Sequence, residues 1–302
     1  MFYALYKSDG LHASQELVKL NELTRSIGVP THFVTLDEAA KLEPFVRATV
    51  GILESPTTGI IDSHAYMQHL LGSFLDHGGD VAYHSAVTAI NPIGTSSHIN
   101  GYEITTRDNT TDEETSITAS TLINSAGLSA CTISNLLLPP ARHYTPFYAK
   151  GNYFSYSAST PRASRLIYPA PDPGLGGLGT HLTLDMSGAL RFGPDVEWVD
   201  SPDDLSVSTH RLHAAVQEIK KYMPSIVEER LMPDYAGIRP KLGRTSAVAA
   251  AGGKGAGKSS FVDFVIREEE GYKGFVNLLG IESPGLTASL AIAEEVEGLL
   301  YR

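Results

Sequence analysis

A mixed α/β (α+β) chain with two interleaved parts is predicted by three stretches of the sequence. The first, Gly274 to Leu300, reads G-F-V-N-L-L-G-I-E-S-P-G-L-T-A-S-L-A-I-A-E-E-V-E-G-L-L. An apolar strand (Phe275 to Leu279) enters a Gly- and Ser-rich turn (Gly280 to Gly285). A helix follows, with Leu286, Leu290, Ala293 and Val296 at near-helical spacing. In the second stretch, Thr121-Leu122-Ile123-Asn124 reads as a buried strand. It ends in Ser125-Ala126-Gly127 and opens a helix to Leu138. The third stretch, residues 147–200, alternates short strands with Pro and Gly turns, the pattern of an antiparallel sheet.

The remaining elements follow in order. Leu17, Leu20, Leu23 and Ile27 share one face of a helix over Ala13 to Ile27. Thr35 or Asp37 caps a short helix that stops at Pro44. Asp62-Ser63 opens a helix through Tyr66, Leu70, Phe74 and Leu75, and Gly78-Gly79 ends it. Val81 to His84, Ala86 to Asn91 and Tyr102 to Thr106 read as strands, with a polar hairpin loop at Asp108 to Glu114. Leu205 to Tyr222 reads as helix. The N-terminus, M-F-Y-A-L-Y-K, reads as a strand rather than a signal or transit peptide. Residues 63–140 and 245–302 are expected to form one domain. Residues 1–62 and 141–244 are expected to form the other.

Bulk properties exclude several function classes. A net charge of −11 argues against nucleic acid, which needs a basic surface. A local cationic pocket for a small anion stays compatible with that charge. The single cysteine, Cys131, rules out an internal disulfide and a thiolate metal cluster, and no metal site is expected. No apolar run approaches the roughly 18 residues of a membrane span.

Two glycine-rich matches to phosphate motifs are rejected on context. Gly252 to Ser259 fits G-x-x-x-x-G-K-[ST], but a weak strand precedes it and a β-like run, Phe261 to Ile266, follows. Gly174 to Gly179 fits G-x-G-x-x-G, but Pro171-Asp172-Pro173 precedes it and no helix follows. Both read as loops.

Asp234-Tyr235-Ala236-Gly237-Ile238-Arg239-Pro240 carries more chemistry. An Arg before Pro is held extended, and its planar fork suits a carboxylate. Lys150-Gly151-Asn152-Tyr153 begins a strand whose Lys could serve a carboxylate or a cofactor. His181, in Leu178 to Thr183, and Tyr168, in Leu166 to Pro173, complete the catalytic candidates.

These stretches, together with Ser55 to His64 and Gly188 to Pro194, resemble the FAD-dependent oxidoreductases of the D-amino-acid oxidase and glycine oxidase type. The pattern is most similar to that of L-2-hydroxyglutarate dehydrogenases. The resemblance implies a Rossmann-like FAD-binding domain interleaved with a mostly antiparallel substrate domain. It also implies an opening βαβ unit with G-x-G-x-x-G that would lie before Met1, so the FAD domain here is expected to be partial. FAD would meet Val87, the Ser125-Ala126-Gly127 turn, and Gly280, Ile281, Glu282, Ser283, Gly285, Leu286 and Thr287. Arg239 would grip the α-carboxylate of a small anionic 2-hydroxy acid, and His181 would take its hydroxyl proton. Electrons would pass to an acceptor other than NAD that the sequence does not identify. A related glycine- or sarcosine-type amine oxidase, or a remnant without cofactor, is the alternative. The location implied is mitochondrial in a eukaryote and cytoplasmic otherwise.

Overall fold

The structure is a computed structural model that describes residues 1–5, 10–95, 98–169, 180–244 and 263–301. The glycine-rich stretches 174–179 and 252–259, which the sequence reads as loops, lie outside the described residues.

A nine-stranded sheet dominates. Its strands are β1 (Phe2–Leu5), β2 (His32–Val34), β3 (Gly51–Glu54), β8 (Phe147–Tyr156), β9 (Ile167–Pro169), β10 (His181–Leu184), β11 (Leu190–Gly193), β12 (Glu197–Val199) and β13 (Leu231–Lys241). The order is β12-β8-β11-β10-β9-β1-β3-β2, and β13 also pairs with β8. Every pairing is antiparallel except β1 with β9. Side chains alternate between the two faces of such a sheet. Phe2, Phe154, Ile167, Leu182 and Phe192 fall on one face and are fully or almost fully buried. Helix α5 (Leu212–Tyr222) covers that face with Ala215, Val216, Ile219 and Tyr222. Each large side chain buried there contributes about 1.5–3 kcal/mol.

Helices α1 (Gly10–Ser26) and α2 (Leu36–Leu42) flank the N-terminal strands. Thr35 is the α2 cap: its hydroxyl accepts the Glu38 N–H at 3.2 Å. Asp62 likewise caps α3 (Ser63–Asp76). Glu43, 2% exposed, holds the 164–165 turn through Ser164 and Arg165.

The second lobe holds an antiparallel meander: β4 (Ser85–Thr95), β5 (His98–Asp108) and β6 (Glu114–Ala119). Beside it lies a three-stranded sheet of β7 (Leu122–Asn124), β14 (Val265–Glu268) and β15 (Phe275–Leu279). There β7 and β15 run parallel, and helices α4 (Ala130–Leu137) and α6 (Gly285–Tyr301) pack nearby. Tyr102 is fully buried against Phe275 and donates its hydroxyl to the Lys273 carbonyl at 2.9 Å.

Three local expectations fail for physical reasons. Residues 81–84 form a turn rather than a strand, and His84 has φ of 57°. Leu205 to Ser208 is not helical, because Asp204 turns back on itself. Its carboxylate accepts the Ser206 N–H and hydroxyl, and the Ser208 N–H goes to the Asn152 side chain. Strand β7 is only half buried: Asn124 is inside, but Ile123 is 45% exposed, since β7 is an outer strand of its sheet.

A buried polar chain ties β7, β14 and β15 together. Asn124 donates to the Asn277 side-chain oxygen at 2.8 Å, and Asn277 donates to Ser134 and to Glu269, each at 2.9 Å. Glu269, whose side chain is fully buried, also receives Arg142 at 2.6 Å and Tyr144 at 3.1 Å. Burial pushes the Glu269 carboxyl up. Asn277, the nearby Arg267 and Tyr144 outweigh it, leaving the pKa below its ordinary 4.5. A depressed carboxyl stabilises the fold above its unfolded pKa and loses that contribution as pH falls through the folded one. Glu269→Gln should therefore cost about 1–3 kcal/mol at pH 7. It should also flatten the stability loss below about pH 4.5. Urea unfolding at pH 7 and pH 4 checks both effects, and a Gln variant with an unaltered acid limb would refute the assignment.

Candidate functional site

The second face of the large sheet gathers most of the candidate residues. Along β8, Ala149, Gly151 and Tyr153 alternate with Lys150, Asn152 and Phe154. Strand β13 lies in register, with Arg239 opposite Ala149 and Gly237 opposite Gly151. Arg239 therefore shares the face of Tyr153. A bulge between Pro233 and Ala236 brings Tyr235 onto Tyr153, with the rings stacked 4.5 Å apart at 11°.

On the neighbouring strands His181 pairs with Gly193, and its ring stacks on Tyr168 at 3.8 Å and 14°. Gly193 is required here. Its φ is 143°, and a Cβ would stand 2.7 Å from the Asn152 carbonyl oxygen and 2.9 Å from the Tyr153 ring. The missing side chain lets Tyr153 lean toward His181. The result is one wall of Tyr235, Tyr153, His181 and Tyr168 with Arg239 at its side. Burial pushes the Tyr168 phenol up. It pushes Tyr153 up as well, opposed by the Arg239 charge, and lifts Tyr235 to about 12. These phenols stay protonated at neutral pH and can donate hydrogen bonds to an anion.

Arg239 is distinguished by its charge balance. The half-buried arginines Arg142, Arg165, Arg191 and Arg211 each pair with a carboxylate. Arg239, equally half-buried, has no carboxylate partner among the described residues. A guanidinium taken partly out of water without an anion suits an anionic ligand.

Lys150 does not join this group. Alternation turns it to the opposite face, where it is 1% exposed and reaches Asp204 at 2.9 Å and Glu197 at 3.5 Å. Burial opposes its charge, but these two carboxylates outweigh it, and its pKa ends above the ordinary value. Asp204 falls to about 2, through Ser206 first and Lys150 second. Lys150 is thus a structural cation. The expectation that it serves a substrate carboxylate ignored the two-residue period of the strand.

The two turns expected to meet FAD converge. Ser125 and Gly127, after β7, line a trough of about 540 Å³ with Ile281, Gly285, Ser289 and the α6 side chains Ile292 and Val296. Gly127 has φ of 57° and open space at its Cβ position. A Cβ on Gly285 would meet the Ile281 side chain at 2.4 Å. Ala126 donates its N–H to Asn124 at 3.4 Å, so the buried Asn124–Asn277 pair anchors this turn. At the α6 N-terminus the Gly285 N–H goes to the Glu282 carbonyl and the Ala288 N–H to the Pro284 carbonyl, which leaves the Leu286 and Thr287 N–H groups as the first-turn donors. Gly280 has φ of 66°. Thr287 turns its hydroxyl back to the Pro284 carbonyl, and Leu286 is 45% exposed. Ser283 lies between Glu282 and Pro284 in the same turn. Val87 sits apart, on the β4 bulge and against the Tyr102 cluster rather than in the trough. The rest of the lining is mainly apolar, from Ile123, Leu278, Ile292, Val296 and Leu300, with the small residues Ser125, Gly127 and Gly285 leaving backbone uncovered at the two turns.

Glu282 binds the end of β13 in the large sheet. It accepts Lys241 at 2.5 Å, and both side chains are largely buried. The joint was absent from the sequence-based assignment, as were the roles of Tyr153 and Tyr235. Residues 235, 237, 239 and 241 repeat with period two, which is the signal that groups them.

A large antiparallel sheet with an unpaired arginine on one face, joined to a parallel strand pair and a mainly apolar trough, is the organisation of a two-part cofactor-dependent enzyme. The family model "FAD dependent oxidoreductase" matches residues 2–299, and the chain belongs to that family. It is 34% identical over 299 residues to the mitochondrial L-2-hydroxyglutarate dehydrogenase of Arabidopsis thaliana. That match covers 88% of this chain and 59% of the relative. It is 32% identical over 176 residues to the L-2-hydroxyglutarate dehydrogenase of Escherichia coli K12, covering 58% and 39%. The chain thus spans about three-fifths of the Arabidopsis protein and less of the bacterial one. Among solved structures, L-α-glycerophosphate oxidase from Mycoplasma pneumoniae superposes with a TM-score of 0.80 at 20% identity, covering 100% of this chain and 72% of that one. Glycine oxidase from Geobacillus kaustophilus gives 0.72 at 16%, covering 99% and 70%. These two share the fold. Among the described residues no helix is long and apolar enough to cross a membrane, and no cluster of metal-binding side chains occurs.

Lys150→Met should lower stability by about 1–2 kcal/mol, because its carboxylate partners keep partial solvent access. It should leave binding of small carboxylic acids unchanged. Thermal melting beside a carboxylate titration checks this, and lost binding in a folded variant would return Lys150 to the site.

Proposed function

We propose that the chain carries the substrate sheet and part of the FAD site of an FAD-dependent 2-hydroxy-acid dehydrogenase, with L-2-hydroxyglutarate as substrate and 2-oxoglutarate as product. The observation that carries this reading is Arg239, a half-buried guanidinium with no carboxylate partner among the described residues, beside a wall of protonated phenols and an imidazole. The dehydrogenase relatives named above support the choice of a hydroxy acid.

The roles follow from chemistry. Arg239 orients the α-carboxylate through both oxygens, and Tyr153 and Tyr235 flank it as neutral donors. His181, 5% exposed and fixed by its stack on Tyr168, holds the proton released from the C2 hydroxyl. The aromatic wall excludes water, which strengthens each charge contact. The turns at 125–127 and 280–287 would hold FAD, whose chemistry is acceptance of the hydride equivalent from C2. The electrons leave to an acceptor of unassigned identity.

Arg239→Ala should raise KM steeply, with kcat/KM falling by about 2–5 kcal/mol equivalents. Arg239→Lys should recover only part, because Lys lacks the planar fork. Flavin content, read from visible absorbance, should stay near wild type in any FAD-loaded form. Unchanged kcat/KM, or loss of flavin together with activity, would place the carboxylate site elsewhere. Turnover of glycine in place of L-2-hydroxyglutarate would favour an amine oxidase.

A further inference from the structure

A second arginine on the same sheet face also lacks an anion. Arg244 stands just past β13, with its guanidinium carbon 5.6 Å from the centres of both the Phe147 and the Trp198 rings. No carboxylate pairs with it among the described residues. Registers place it beside the site. Trp198 pairs with Ala149, which pairs with Arg239, so the three form one row across β12, β8 and β13. Directly paired residues share a face, and that row spans about 10 Å between its outer strands. Phe147 lies in the next row on that face, opposite Lys241.

The other cations near this face are neutralised. Lys241 is held by Glu282, and Arg191 is held by Asp234 at 2.8 Å. Among the described residues, Arg239 and Arg244 are left on this face without a carboxylate. Aromatic contact on the faces of a guanidinium leaves its edge N–H groups free for a planar, two-pronged bond to a carboxylate.

We propose that Arg244, set against the Phe147 and Trp198 rings, binds the distal carboxylate of a dicarboxylic 2-hydroxy acid whose α-carboxylate is held by Arg239. This rests on the Arg239 reading above. It makes Arg244 the residue that selects diacids over monoacids. A five-carbon diacid carries a carboxylate at each end, so it can engage both forks. A monoacid of similar length engages one and leaves Arg244 without an anion. In a chain of net charge −11, two local cations also offset the repulsion a dianion meets.

Trp198 is the sole tryptophan of the chain, so its emission reports on this place alone. The test titrates purified chain with L-2-hydroxyglutarate and with L-2-hydroxybutyrate. Calorimetry measures affinity, and tryptophan emission reports location. Wild-type protein should bind the diacid more tightly, and only the diacid should change the emission. Arg244→Gln, on an exposed side chain, should melt like wild type. It should weaken the diacid by about tenfold or more and leave the monoacid unchanged. Arg244→Lys, which keeps charge without the fork, should fall between. Arg239→Ala should weaken both acids, which separates the two assignments. Equal diacid affinity in wild type and Arg244→Gln, or equal weakening of both acids, would overturn the proposal while leaving Arg239 intact. Undetectable binding of either acid by wild type would overturn both.

Discussion

Everything at the candidate site depends on the ladder between β8 and β13. Its register, with Ala149 opposite Arg239 and Gly151 opposite Gly237, divides the chemistry between two faces. One face receives Tyr153, Tyr235 and Arg239. The other receives Lys150, Asn152 and Phe154. A slip of β13 by one residue would turn Arg239 to the far face, the side on which Lys150 meets Glu197 and Asp204. The ion pairs on the far face oppose such a slip. Lys150 between two carboxylates, and Asn152 bonded to Asp195 and Glu197, fix the face β8 must present. These groups stabilise register and leave Arg239 without an anion of its own.

The same strand couples the two lobes. Two residues beyond Arg239, Lys241 bonds Glu282 in the turn ahead of α6. Leu242 lies against Gly280, where a Cβ would come within 2.9 Å of its side chain. The turn that borders the trough is therefore seated on the end of the strand that carries the anion-seeking arginine. From the other side, Asn124 and Asn277 anchor the 125–127 turn, and Glu269 anchors Asn277. The Arg239 face and the trough are linked through few bonds, mostly buried.

Much of the fold was legible in the sequence because its signals are local. Caps at Thr35 and Asp62, and the strand-turn-helix at residues 275–301, follow from neighbouring residues alone. The family resemblance brought Arg239, His181 and Tyr168 into consideration, and the structure brings them onto one face. Lys150 was misjudged because a motif match treats adjacent residues alike, whereas a strand sends them to opposite sides. The early helix start at Leu205 failed for a non-local reason, since Asn152, far away in sequence, holds the Ser208 N–H. The Lys241–Glu282 joint and the Arg244 aromatic seat were hidden for the same reason: their partners are far apart in sequence until strand pairing sets them together.

The apolar lining of the trough continues onto helices that face solvent. Met67, Leu70, Phe74 and Leu75 of α3 are each 40% exposed or more, as are Leu286 and Leu290 of α6. Tyr66 and Ser289 join those helices by a hydrogen bond of 2.9 Å, so the two sets are neighbours. Beside them runs β7, an outer strand with Ile123 showing. A greasy surface next to an open strand margin is the combination that drives self-association in a concentrated solution. Salts that strengthen apolar contact favour such association, and dilution or mild detergent opposes it.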